Sequence, residues 1–208
     1  MAPSDLLPLP EGALVIAADS GVERALELGL RVDVAVGDFD SVRPAALEQV
    51  AALGAVIERH PEAKDATDLE LALEAARARG ARRVVVIGGH GGRLDHLLAN
   101  AALLASPAFV DMELAARMGR ATVTVVRRSA RLQGRPGDLV TLVPLHGPAR
   151  RVRTEGLRYP LHGEDLAPGS SRGVSNELLG AEATVSLAEG VLLAVQPGSA
   201  QPGSRRHR

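Results

Sequence analysis

Cysteine is absent from this chain of 208 residues, which removes disulfides and thiolate metal sites as sources of order or chemistry. Tryptophan is absent as well, and Phe39, Phe109 and Tyr159 are the only aromatic residues, so any core must be aliphatic. Lysine is reduced to one residue, Lys64, among 24 basic residues. Such an excess of arginine follows from codon composition or thermal adaptation, so only the surviving lysine attracts interest. Long apolar runs are missing: Leu97 to Ala105, broken by Asn100, is far too short to span a bilayer. The net charge of −1 provides no global field to recruit nucleic acid or an anionic membrane. The opening MAPSDLLPLPEG has no basic n-region and too many prolines for a secretory signal. These absences predict a soluble, cytoplasmic protein with neither nucleic-acid nor membrane partners. The length suffices for one large domain or two small ones with a real core.

Two motifs are missing too. No G-x-x-x-x-G-K-[ST] loop occurs, and Lys64 follows no glycine loop. Gly89 and Gly91 begin a G-x-G-x-x-G fingerprint, but Leu94 stands where its third glycine is needed, which argues against a nicotinamide enzyme.

What is present divides into two textures. Up to about residue 105, strand and helix patterns alternate. Ala13–Ala18, Val32–Val36, Ala55–Glu58 and Arg83–Ile87 read as strands. Val22–Leu28, Pro44–Leu53, Thr67–Arg79 and Leu94–Ala105 read as helices, with Pro44 in a first turn and Gly54 and Gly80 just past helix ends. This alternation predicts an α/β N-terminal domain with a mostly parallel sheet over residues 1–118. Beyond residue 120, Thr122–Arg127, Leu139–Pro144, Arg150–Thr154, Ala183–Leu187 and Val191–Val195 are short β-like runs between Gly- and Pro-rich turns. They predict an all-β sandwich or small barrel over 119–196. The tail 197–208 has the composition of a disordered end.

The polar residues with chemical potential gather at turns after the strands, where ligands bind in open parallel sheets. The turn Asp19-Ser20-Gly21 follows the first strand, and Asp19 there suits either a helix cap or an Asx-turn. The second strand runs into Gly37-Asp38-Phe39-Asp40-Ser41. Were this segment extended, Asp38 and Asp40 would point the same way. Neighbouring carboxylates repel, so a cation belongs between them. Mg²⁺ suits the position, because it takes carboxylate oxygens while keeping waters and substrate phosphates. Lys64-Asp65-Ala66-Thr67-Asp68 precedes the long helix, and Thr67 with Glu70 fits a capping box. Gly88-Gly89-His90-Gly91-Gly92-Arg93-Leu94-Asp95-His96 opens the fourth helix with four glycines in five residues, which suits close backbone approach to a phosphate. Asp38, Asp40 and Asp68 can thus hold Mg²⁺ against a polyphosphate, with Lys64 and Arg93 neutralising the remaining charge. Asp95, near a helix start, equally suits a first-turn stabiliser. An apolar strand ending in D-x-D-[ST] also resembles the nucleophile loop of haloacid-dehalogenase-type phosphatases. The distant lysine and late acidic pair of that family have no match here.

The segments together resemble the thiamine pyrophosphokinase family, whose pattern runs D-x-G, G-D-F-D-S, K-D-x-T-D, G-G-x-G-G-R-x-D-H and a late G-x-S-N. The matching residues are Asp19–Gly21, Gly37–Ser41, Lys64–Asp68, Gly88–His96 and Gly173-Val174-Ser175-Asn176, covering about residues 17–196. Val32 stands where the family often has proline, and Ser20 where many members have glycine; neither touches the metal carboxylates. The resemblance implies Mg²⁺-dependent transfer of a pyrophosphoryl group from ATP to thiamine, giving thiamine diphosphate and AMP. It implies a homodimer with active sites at the subunit interface. It carries metal binding onto Asp38, Asp40 and Asp68. It carries ATP contacts onto Asp19, Ser41, Lys64, Asp65, Thr67, Gly89, Gly91, Gly92 and Arg93. Asp95 becomes the residue that orients or deprotonates the hydroxyl, and Tyr159, Ser175 and Asn176 become the thiamine pocket. Two alternatives stay open at this level: a same-fold pyrophosphokinase acting on another alcohol such as a hydroxymethyl-pterin, and a non-catalytic nucleotide- or thiamine-binding module.

Overall fold

The structure, a computed structural model, describes residues 9–61, 65–91 and 93–198. Lys64, Gly92 and the tail beyond residue 198 lie outside the described residues. The chain forms two compact units, one ending at Arg82 and the other beginning at Arg83. The junction expected at residue 118 falls at the end of a strand inside the second unit.

In the first unit, strands and helices alternate as β1 (Ile16–Ala18), α1 (Gly21–Glu27), β2 (Val34–Gly37), α2 (Pro44–Ala52), β3 (Val56–Arg59) and α3 (Asp68–Ala78). The strands form a parallel sheet in the order β1-β2-β3. Strand alternation divides the apolar residues between the two faces. Ala17 and Ala35 join Val22, Ala25, Ala46 and Val50 of α1 and α2 in one cluster. Val34 and Val36 point the other way and pack against Ala75 and Leu71 of α3. The α3 stripe arises from the 3.6-residue spacing of Ala72, Leu73 and Ala76, all buried, and Gly80 at φ +79° ends the turn that follows.

The second unit opens with β4 (Arg83–Ile87) and α4 (Leu94–Leu104). It continues through β5 (Glu113–Met118), β6 (Ala121–Val126), β7 (Ser129–Gln133), β8 (Leu139–Pro144) and β9 (Ala149–Glu155). The last strands are β10 (His162–Leu166), β11 (Asn176–Glu177), β12 (Glu182–Ser186) and β13 (Leu192–Gln196). One sheet runs β11-β8-β13-β6-β5-β4 and the other β10-β9-β12-β7. Only β4 and β5 pair in parallel; the remaining ladders are antiparallel. Leu142, Leu192, Val126 and Val140 of the first sheet pack with Leu132, Val152, Leu166 and Val185 of the second. That two-sheet core is wholly aliphatic, as the lack of aromatics required. No described helix is long and apolar enough to cross a membrane.

Candidate functional site

Strands β1 and β2 end side by side, and their ends carry the first group of polar residues. A Cβ added at Gly37 would lie 3.3 Å from three atoms of Asp19, and Gly37 has φ +148°. Glycine at this position therefore lets the two strand ends approach. The segment that follows is not extended. β2 stops at Gly37, and Phe39 adopts φ +63°. For a bulky residue this conformation costs about 1–2 kcal/mol, and it persists because the surroundings fix it. The Phe39 ring is buried at 7% exposure within the α1/α2 cluster. Asp38 and Asp40 are brought together by this turn rather than by strand alternation, and the Asp40 N–H donates to Asp38 Oδ1 at 3.3 Å. The Ser41 hydroxyl donates to Asp40 Oδ1 at 2.9 Å, so Ser41 orients a carboxylate.

One carboxylate oxygen each of Asp19, Asp38 and Asp40 lies within 4.8 Å of the others. Asp19 has φ +44°, and its Oδ1 is buried with no hydrogen-bond partner. Asp19 does not cap α1: the residue before that helix is Ser20, and no side-chain cap bond forms. Desolvation raises the Asp19 pKa, opposed by the Ser20 amide and reinforced by the charges of Asp68, Asp38 and Asp40. Asp19, expected on the nucleotide, thus joins Asp38 and Asp40 as the third carboxylate of the cluster. Asp68, expected in that role, stands outside the group but near enough to act on Asp19. Hard oxygen donors crowded together, one of them buried and unpaired, fit Mg²⁺.

The segment before α3 is partly structural. Thr67 Oγ1 accepts the Glu70 N–H at 3.2 Å, making Thr67 the helix cap, and Asp68 lies in the first turn. Asp65 is exposed just ahead of it.

In the second unit, the glycine loop leaves β4 and enters α4. Gly88 and Gly89 have φ +102° and +73°. The loop is held from three sides. The Gly88 N–H donates to Arg117 O at 2.9 Å, Asn100 Nδ2 donates to Gly89 O at 3.0 Å, and the His90 ring packs over Gly119. Asn100, which interrupts the apolar run of α4, is therefore a support of this loop. Arg93 precedes α4, and its guanidinium grips Asp95 through Nε at 3.2 Å and Nη2 at 2.6 Å. That pairing, with help from the His96 amide, holds the Asp95 carboxyl at about 2. Such a group is a poor proton acceptor near neutral pH.

Elsewhere in the same unit, Gly173-Val174-Ser175-Asn176 crosses β8. A Cβ on Gly173 would lie 2.3 Å from Leu142 O, so the chain passes here only as glycine. Ser175, at φ +58°, is exposed, and its N–H donates to Thr141 Oγ1 at 3.1 Å. Asn176 is 7% exposed, and its side chain turns towards Tyr159. Its Oδ1 accepts the Tyr159 N–H at 3.0 Å and the Glu177 N–H at 2.9 Å, while Nδ2 donates to Tyr159 O at 2.7 Å. Tyr159 itself is 59% exposed. Arg158 stands 5.6 Å from its ring centroid and is paired with Glu177 at 2.9 Å. Asn176 thus appears in the structure as the holder of Tyr159, a role that residue types alone do not reveal because the two lie 17 positions apart.

Comparison with known proteins agrees across the chain. Residues 9–116 match the family model "Thiamin pyrophosphokinase, catalytic domain", and residues 124–192 match "Thiamin pyrophosphokinase, vitamin B1 binding domain". The thiamine pyrophosphokinase of Bacillus subtilis is 26% identical over 210 residues, covering 93% of this chain and 94% of that protein. The crystal structure of thiamine pyrophosphokinase from Bacillus subtilis superposes with a TM-score of 0.81 at 25% identity, covering 96% and 97% of the two chains. That of the Geobacillus thermodenitrificans protein gives 0.76 at 29% identity, covering 97% and 95%. The catalytic-domain match alone spans more than half of the sequence, and the chain belongs to the thiamin pyrophosphokinase family.

Proposed function

We propose that this protein transfers a pyrophosphoryl group from ATP to thiamine, giving thiamine diphosphate and AMP, with Mg²⁺ as its metal. Family membership carries the general activity of a thiamine diphosphokinase; nucleotide, metal and residue roles are our reading. The observation that carries it is the Asp19–Asp38–Asp40 cluster with its buried, unpartnered oxygen. These three carboxylates, with Asp68 beside them, would hold the ion. Bound there, Mg²⁺ would supply positive charge against the polyphosphate oxygens.

The remaining work falls to the chain's own groups. Gly89, Gly91 and Gly92 would contact the phosphates of ATP through their main chain, and Lys64, Asp65 and Thr67 are further candidates for contacts to ATP. Arg93 and Lys64 offset the charge that develops as the hydroxyethyl oxygen of thiamine bonds to the β-phosphorus. The bond from that phosphorus to the oxygen it shares with the α-phosphorus breaks, that oxygen leaves with AMP, and the hydroxyl proton passes to solvent. Asp95 keeps Arg93 in place. Tyr159 offers a flat platform for the aminopyrimidine, and Ser175 a hydrogen bond. The protein works in the cytoplasm as a homodimer whose active sites use both subunits. Residues up to about 118 form the catalytic domain, and 119–196 bind thiamine and dimerise.

The deciding experiment incubates the purified protein with thiamine, ATP and Mg²⁺ and separates the products by chromatography. Thiamine diphosphate with equimolar AMP is expected. AMP without thiamine diphosphate would reassign the acceptor, and neither product from folded protein would leave a binding module.

A further inference from the structure

Arg59, the last residue of β3, has no part in the roles above. Its backbone pairs in register with Gly37, and the next residue, His60, donates its N–H to Gly37 O at 2.9 Å. From there the side chain reaches over the carboxylate turn and makes two contacts. Nη1 donates to the Asp38 carbonyl oxygen at 2.9 Å, and Cζ stands 5.1 Å from the centroid of the Phe39 ring. One contact is on the Asp38 carbonyl and the other on the ring of Phe39, the left-handed residue that makes the turn. A planar guanidinium can satisfy a carbonyl in its own plane while stacking on an aromatic face, and a lysine cannot do both.

The charge of arginine offsets repulsion among these carboxylates, but it does not help them take up a metal. A fixed cation beside a carboxylate cluster repels a divalent ion and weakens its binding. The contacts supply a different reason, because they fix the main chain that sets the spacing of the carboxylates. We propose that Arg59 is a positioning residue for the metal, clamping the Asp38–Phe39 turn so that Asp38 and Asp40 face Asp19 at ligating distance. The proposal rests on reading that cluster as a cation site.

The two effects of Arg59 have opposite signs, which makes direct binding decisive. Titrating the full-length protein with MnCl₂, without substrates, and following free Mn²⁺ by electron paramagnetic resonance gives a dissociation constant without turnover. If Arg59 clamps the turn, Arg59→Ala weakens Mn²⁺ binding by about tenfold, with a cooperative melt close to wild type. Arg59→Lys keeps the charge and loses the stacked fork, so it weakens binding several-fold too. Equal or tighter binding by a folded Arg59→Ala variant overturns the clamp and leaves only a neighbouring charge. If the alanine variant does not fold, Arg59→Lys decides, and wild-type affinity in it overturns the clamp. Failure of the wild type itself to bind Mn²⁺ removes the cation site, and the clamp with it, and differs visibly from a loss confined to the variants. Rescue of Arg59→Ala activity by raised Mn²⁺, with the thiamine KM unchanged, supports positioning over general damage.

Discussion

The carboxylate turn of the first unit and the Tyr159 platform of the second are built on opposite terms. Asp19, Asp38 and Asp40 crowd like charges together, and Asp19 keeps a buried oxygen without a partner. Asn176, by contrast, uses its side chain on three backbone groups, and Arg158 is fixed by Glu177 beneath the tyrosine ring. The first region keeps one buried carboxylate oxygen, Oδ1 of Asp19, that no hydrogen bond satisfies. The second is complete before any ligand arrives. Under the proposed function the difference decides where binding free energy would go: the turn would gain stability on loading, whereas the platform is preorganised and would spend little on ordering.

The sharpest way to break the comparison is Asp40→Asn. It removes one charge from the turn and leaves an isosteric side chain that still accepts from Ser41. Turnover should fall by about a thousandfold or more, as for loss of a preorganised electrostatic group, while the melting temperature stays near wild type. Near-normal rates at saturating Mg²⁺ would remove Asp40 from the metal site.

Tyr159→Ala tests the other region. Losing an aromatic platform from a stacked ring costs about 1–3 kcal/mol, so the thiamine KM should rise by about 10- to 100-fold with little change for ATP. Equal effects on both substrates would assign Tyr159 to the fold.

How far these regions could be read from sequence follows the same division. The carboxylates announced themselves because paired acids have few bland explanations, but the turn that joins them did not. Phe39 occupies a left-handed conformation that its residue type disfavours, and the reasons lie in the core and in Arg59, twenty positions away in sequence. The β-branched runs of β4 and β8 were legible to the residue. β5, Glu-Leu-Ala-Ala-Arg-Met, was not, because its residues favour helix and only pairing with β4 and β6 makes it a strand. β7 and β10 are polar or glycine-bearing and owe their state to the same kind of neighbours. Asn176 stood out within the late Gly-Val-Ser-Asn segment, yet its bonds to the Tyr159 main chain depend on a contact that sequence does not encode locally.

Asn176→Ala measures how complete the platform is. Losing these bonds and leaving the Tyr159 backbone groups unmatched should destabilise by about 2 kcal/mol, a Tm decrease of about 4–8 °C. The thiamine KM should rise as well, since Tyr159 loses its fixed main chain. A lower Tm with an unaltered thiamine KM would make Asn176 purely structural.

The smallest effect is the most specific to the carboxylate turn. Burial and like charge raise the Asp19 pKa above the ordinary 3.8, so the ionised form is disfavoured in the folded protein. The stability linked to this group is fully present below 3.8 and is lost as pH rises through the higher folded value. At neutral pH without metal, ionised Asp19 therefore burdens the fold, and Asp19→Asn should raise the Tm by about 1–2 °C after allowance for solvent screening. Added Mg²⁺ should stabilise the wild type at pH 7 and much less near pH 4, where protons compete for the same oxygens. The same ion should leave Asp19→Asn nearly unmoved at either pH. A variant less stable than wild type in metal-free buffer would mean that the Asp19 carboxylate already has a partner of its own. The contrast between an unfinished turn and a finished platform would then lose its first half.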